Sequence, residues 1–179
     1  PYELVKTGRW TLDKFGEMAL AVSKDLDGDG AWTANDQYGY TSWSSIAGQT
    51  LATGSGAILS INKDENDMPY FDLDTEYHIV RFEKITELLN KDGFRNPEGK
   101  SETNGGVTQF MEGRVLFYNE TMGNAQKLRQ MTLDFGILPA PKFNEEQESY
   151  YNLGGNPYFM TVPITTPDLE RTGIIMEAL

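Results

Sequence analysis

The most specific chemistry in the sequence lies in one acidic stretch. Asp25-Leu26-Asp27-Gly28-Asp29-Gly30-Ala31-Trp32-Thr33-Ala34-Asn35-Asp36 sets carboxylates at positions 1, 3, 5 and 12 of a twelve-residue loop, with glycine at position 6. Calcium is a hard ion that takes about six to eight oxygen ligands. Asp25, Asp27 and Asp29 would supply three of them, the Ala31 carbonyl a fourth, and Asp36 would close the shell, with Thr33 acting directly or through water. Gly30 permits the sharp turn that aims these oxygens inward. Asp36 stands where the calcium pattern carries Glu; its shorter side chain favours one oxygen over two and a weaker site. The bland alternative, a solvated acidic turn without metal, does not explain the spacing. Gln37 to Tyr40 does not continue a helical period, and a calcium sensor needs a second helix to move. The loop therefore reads as a static clip that fastens a helix end and stabilises the fold by mass action.

The remaining composition excludes more than it proposes. Asp and Glu number 27 against 15 Lys and Arg, an acidic balance unsuited to neutralising phosphates, so no nucleic-acid partner is expected. With no cysteine there are no disulfides, thiol nucleophiles or thiolate zinc sites. His78, the single histidine, has no serine or metal ligand at useful spacing and reads as a core or surface residue. No run approaches the roughly 18 apolar residues of a membrane span.

Positioning these residues requires alternating helices and strands. Leu12, Phe15, Met18, Ala19 and Val22 recur at helical spacing behind Thr11, which predicts a helix over 12–23 running into the loop. A short helix is expected over 45–52, and a hairpin from strands 57–61 and 69–73. From Asp74 as N-cap, Ile79, Val80, Phe82, Ile85, Leu88 and Leu89 form an apolar stripe ending at Asp92-Gly93. Beyond it the expected order is a helix at 107–111, a strand at 115–118, a helix at 121–131, strands at 134–138 and 158–162, and a terminal helix after Pro167. This is a single α/β lobe over residues 1–179. Pro1 at one end and an uncapped helix at the other read as an excised segment of a longer protein.

Gly8-Arg9-Trp10-Thr11-Leu12-Asp13-Lys14-Phe15, the Asp27-Gly28-Asp29-Gly30 loop ending in Asp36-Gln37-Tyr38-Gly39, and Phe110-Met111-Glu112-Gly113-Arg114-Val115 resemble family 1 extracellular solute-binding proteins, the sugar-binding lipoproteins of Gram-positive ABC importers. Leu138-Pro139-Ala140-Pro141-Lys142 and Arg171-Thr172-Gly173-Ile174-Ile175-Met176-Glu177-Ala178-Leu179 are similar to the same family. The resemblance implies most of the second lobe of a two-lobed, type II periplasmic-binding-protein-like fold, lacking the first lobe and the C-terminal helices. It also implies anchoring on the outer face of a bacterial membrane and delivery of a carbohydrate to a membrane permease.

For the ligand, it implies a cleft-facing strand end at Tyr118, Asn119, Glu120 and Thr121 and a second loop at Gly154-Gly155-Asn156-Pro157-Tyr158, of which Tyr118, Asn119, Gly155 and Asn156 are the chosen candidates. A saccharide presents apolar ring faces fringed by hydroxyls, so aromatics and amides suit it, and Trp43 in its polar loop joins the set. Core packing for Tyr118 or Trp43 and helix capping for Asn119 are the plain alternatives; Trp10 and Trp32 are assigned to structure. The expected function is capture of a carbohydrate, an oligosaccharide above all, without catalysis. A glycoside-processing enzyme and a calcium-dependent adhesion module are the competing classes, and no carboxylate pair outside the loop stands out to serve the first.

Overall fold

The computed structural model describes residues 1–42, 46–57, 61–73, 75–96, 105–154 and 161–178. Strand β1 (Tyr38–Ser42) is buried along its whole length, and the rest is arranged around it. Strand β4 (Val115–Asn119) pairs with it in parallel, Tyr38 against Val115, Tyr40 against Phe117 and Ser42 against Asn119. The opposite edge is filled by the Gly93–Arg95 strip, through Tyr40 N donating to Phe94 O at 2.9 Å and a parallel bridge between Tyr40 and Arg95. Buried on both faces and both edges, β1 reads as a central strand of a mixed α/β fold.

Helix α1 (Tyr2–Lys6) precedes α2 (Leu12–Val22), whose first turn is capped by Thr11 Oγ1 accepting from Lys14 N. Leu12, Phe15, Gly16 and Ala19 form the buried stripe of α2. Phe15 sits at the centre of the core, its ring centroid 5.0 Å from Phe117, 5.3 Å from Tyr40, 5.6 Å from Phe94 and 5.8 Å from Trp10. Such mixed edge and tilted contacts suit aromatic quadrupoles better than parallel stacking does. Trp10, assigned to structure from sequence, is buried here and donates its indole N–H to Pro139 O at 2.9 Å. Lys142 closes this end: its backbone brackets Trp10 and Leu12, while its buried ammonium donates to the Gln147 and Glu145 carbonyls.

Helix α3 (Ile46–Gly54) follows β1, then the antiparallel pair β2 (Ile61–Lys63) and β3 (Pro69–Phe71), then α4 (Glu76–Leu89). The N-cap of α4 is Thr75; Asp74, expected there, lies outside the described residues, as do 58–60 of the expected first hairpin strand. The apolar stripe of α4 is buried only in part. Ile85 and Leu88 face the core with His78, while Ile79, Val80 and Phe82 are 45%, 42% and 39% exposed. Arg81 fastens the helix instead, its guanidinium 3.4 Å from the Tyr77 centroid and 4.3 Å from that of Phe143, with Nε donating to Ser55 O.

Helix α5 (Gly105–Met111) leads into β4, a 3-10 helix covers Met122–Gln130, and α6 (Leu169–Ala178) comes last. Among the described residues one expectation holds in place but not in type, and another fails. The 121–131 helix is of the tighter 3-10 type, and residues 134–138 form no strand ladder although their apolar alternation suits one. Of the expected strand 158–162, residues 158–160 lie outside the described set and Thr161 and Val162 are not in a strand.

Contact between α2 and β1 is close enough to demand glycine. A Cβ placed on Gly39 would run into the backbone of Ala19. Gly39→Ala is therefore expected to lower unfolding free energy by about 1–3 kcal/mol, the usual cost of overpacking a filled core. Urea titration of the two proteins measures it; an unchanged midpoint would show that α2 is not seated on β1 in this way.

Candidate functional site

Two polar constellations lie at opposite ends of β1. At its entrance is the acidic loop. Asp25 Oδ1 and Oδ2 accept from Gly28 N (2.7 Å) and Gly30 N (2.9 Å), Asp27 Oδ1 from Asp29 N (3.2 Å), and Asp29 Oδ1 from Ala31 N (2.7 Å). Gly28 and Gly30 take φ of 74° and 81°, the left-handed region that favours glycine, which wraps the chain so that these amides and carboxylates meet. The result gathers Asp25, Asp27 and Asp29 so that one oxygen of each lies within 4.8 Å of the others. Two oxygens that share a calcium at about 2.3–2.6 Å can be no more than about 5 Å apart, so the trio fits one such ion. The charges are felt at Asp27: although the Asp29 N–H bond pulls its pKa down, desolvation and the carboxylates of Asp29 and Asp36 together hold it above the ordinary value.

Asp36 stands outside the trio and is fully buried. Its Oδ2 accepts from Thr33 N at 2.7 Å and its Oδ1 from Leu26 N at 2.9 Å, and these two bonds hold its pKa below the usual carboxylate range. The residue expected to close a metal shell thus ties the two ends of the loop together. An antiparallel bridge between Lys24 and Gln37 closes the loop's base.

Side chains from elsewhere anchor the returning arm. Gln109 Nε2 and Arg114 Nη1 both donate to Ala34 O at 2.7 Å, Arg114 Nη1 reaches Asp36 O at 3.3 Å, and Tyr38 Oη donates to Thr33 O at 2.8 Å. Trp32 lies against the Tyr38 ring at 5.5 Å and over Gly93, the structural role expected of it. Sequence reasoning did not find Gln109 or Arg114 as loop anchors, though Arg114 sits in the Phe110-Met111-Glu112-Gly113-Arg114 motif that carries the resemblance.

At the exit of β1 the parallel pair ends with Ser42 beside Asn119. Ligands of open α/β sheets bind outside the carboxyl ends of parallel strands, which is where these residues lie. Ser42 Oγ (3.2 Å) and Thr50 Oγ1 (3.3 Å) both donate to Asn119 Oδ1, which fixes the amide plane and commits its oxygen. Asn119 does not cap the helix that follows; Thr121 occupies that N-cap position. Tyr118 is half-buried, stacked on Phe110 with centroids 5.5 Å apart, and its hydroxyl donates to Glu120 Oε2 at 3.3 Å. Burial, then the Glu120 charge, drive its pKa far upward, so the phenol remains a protonated donor. Ser42 and Thr50 are additions that sequence reasoning missed, since nothing in a lone Ser or Thr marks it as lying across from Asn119. Trp43, Gly155 and Asn156 lie outside the described residues. His78 is buried at the start of α4 with Nδ1 2.8 Å from Thr75 Oγ1, which selects the core from the two plain readings, core or surface.

The different roles of Asp36 and Asp27 separate in a thermal-melt experiment. Asp36→Ala, which strands two backbone donors, is expected to lower Tm in chelator and in calcium alike. Asp27→Asn is expected to leave Tm in chelator unchanged or raised and to remove the rise that calcium produces. Equal behaviour of the two variants would mean that the four carboxylates act as one set. No family model, curated protein or solved structure matches the chain, so its chemistry is read from its own residues.

Proposed function

We propose that the chain is a lobe of an extracellular solute-binding protein that captures a carbohydrate for an ABC importer, with calcium held by Asp25, Asp27 and Asp29 as a structural clip. The observation that carries this reading is the Asn119 amide fixed by Ser42 and Thr50 at the carboxyl ends of β1 and β4, beside the Tyr118 ring. A saccharide hydroxyl needs donors and acceptors held in place, and its apolar ring face needs a flat partner. With its oxygen already committed, Asn119 offers its NH2 as a donor, while the Glu120 carboxylate holds the Tyr118 hydroxyl and the Thr121 amide beside it. No step of bond making is assigned to these groups: the proposed role is binding, and transport follows from closure of a second lobe over the ligand and transfer to a membrane permease. The type II binding-protein-like architecture and the anchored, extracellular location rest on the sequence resemblance. Calcium, abundant outside cells, would add stability by mass action, about 2.7 kcal/mol at a hundredfold excess over its dissociation constant.

Saturation-transfer NMR on the 179-residue chain with a panel of mono- and oligosaccharides tests the reading, because it registers the weak binding expected of half a clamshell. At least one saccharide is expected to show transfer, reduced several-fold in Asn119→Ala, a variant expected to remain folded by circular dichroism but to lose some Tm because Ser42 and Thr50 lose their acceptor. Absence of transfer from every saccharide would remove the carbohydrate assignment and leave a calcium-clipped lobe.

A further inference from the structure

Helix α5 touches both polar constellations. On one side Gln109, 3% exposed, uses both ends of its amide: Nε2 donates to Ala34 O in the returning arm of the loop at 2.7 Å, and Oε1 accepts from Asn96 Nδ2 at 2.9 Å. On the other side Phe110, the next residue, stacks on the Tyr118 ring with centroids 5.5 Å apart and an interplanar angle of 29°. Gly106, one turn earlier, approaches so closely that a Cβ there would lie 3.0 Å from Thr41 Oγ1 and 3.8 Å from Tyr118 Cε2. The helix is thus bonded to the acidic loop through one residue and packed against Tyr118 through its neighbours.

At seven residues α5 spans only about 10 Å, and a helix this short moves as a unit, so a shift at Gln109 carries Phe110 with it. Arg114 also donates to Ala34 O at 2.7 Å, but it leads directly into β4, whose register is held by pairing with β1. The adjustable limb is therefore α5. The arm that carries Ala34 returns from Asp25, Asp27 and Asp29, whose oxygens are gathered within 4.8 Å of one another. Carboxylates that close repel one another until a cation joins them, so an ion there tightens the arm that Gln109 holds. A ring already held in place loses less freedom when a ligand arrives, and the ligand binds more tightly.

Resting on the calcium and carbohydrate readings above, we infer that Gln109 is a positioning residue that couples the two ends of β1: calcium at the acidic loop, acting through α5 and Phe110, orders the Tyr118 ring and raises saccharide affinity. By linkage, the saccharide raises calcium affinity by the same factor.

Carbon-13 labelling of the tyrosine rings of the 179-residue chain gives an NMR readout, with signals assigned by Tyr38→Phe and Tyr118→Phe. Tyr38 Oη donates to Thr33 O, so its signal reports calcium entering the loop, while Tyr118 reports the coupled end. Saturating calcium, compared with chelator, is expected to shift both signals in the unaltered chain and only that of Tyr38 in Gln109→Leu. In saturation-transfer titrations with a panel of mono- and oligosaccharides, the best-binding member is expected to bind at least about fivefold tighter in calcium than in chelator, the low end of usual couplings between sites. Gln109→Leu is expected to bind it equally in both conditions. If Gln109→Leu fails to fold by circular dichroism, Phe110→Leu decides, since it keeps the loop bonds and removes the ring stacked on Tyr118; the same loss of calcium response is expected. A Tyr118 signal that ignores calcium while Tyr38 responds, a saccharide affinity equal in calcium and chelator, or an undiminished calcium effect in the folded variants overturns the inference and leaves both readings standing. A Tyr38 signal that ignores calcium overturns it together with the calcium clip, and failure of every saccharide to bind overturns it together with carbohydrate capture.

Discussion

The burial of β1 on all sides is the constraint on which the rest of the structure depends. A five-residue strand covers only about 13–17 Å at the usual rise per residue, yet both polar constellations hang from its ends. Asp36 and Gln37 deliver the acidic loop directly into Tyr38, and Ser42 hands the chain to the edge where Asn119 and Tyr118 lie. Seating α2 against Gly39 and β4 against Tyr40 fixes the strand's register, and a one-residue slip would turn Tyr40 and Ser42 to the opposite face. The geometry of the edge where Asn119 and Tyr118 lie is thus set by packing well away from it.

The loop is tied into the same frame from the other side. Gln109 on α5 and Arg114 just before β4 both hold Ala34 O, so the arm that leads into β1 is fixed to the elements that flank β4. Asn96 Nδ2 in turn donates to Gln109 Oε1 at 2.9 Å, drawing in the residue next to Arg95. A network of this kind, buried and satisfied, specifies one arrangement more sharply than apolar packing alone.

What was legible in the sequence was what local periodicity and turn chemistry encode. Helix α2 behind its Thr11 cap, the acidic loop, the span of α4 and strand β4 could be read directly, because each is fixed by residues within a dozen positions of one another. The burial of α4 could not: its stripe was read as continuous, but Arg81, wedged between Tyr77 and Phe143, does the fastening while Ile79 and Val80 stay outside. Residues 134–138 alternate like a strand, yet a ladder needs a partner edge, and partner choice is non-local. At the candidate site, Tyr118 and Asn119 were reachable through the resemblance. Their partners Ser42 and Thr50 were not, because the contacts to Asn119 span 77 and 69 residues.

A chain with short strands and long connections leaves many backbone groups without sheet partners, and here charged and amide side chains take their place. Lys142 serves the carbonyls of Glu145 and Gln147, Arg81 those of Ser55 and Tyr77, and Arg114 those of Ala34 and Asp36. Carboxylates do the converse: Asp25, Asp27, Asp29 and Asp36 accept from loop amides, and Asp64 from Asn66 and Met68. Hydrogen bonds to charged groups are stronger than neutral ones, and a buried amide or carbonyl left open is costly. Much of the chain's charge is therefore structural, including part of the acidity that would otherwise read as a solvated surface.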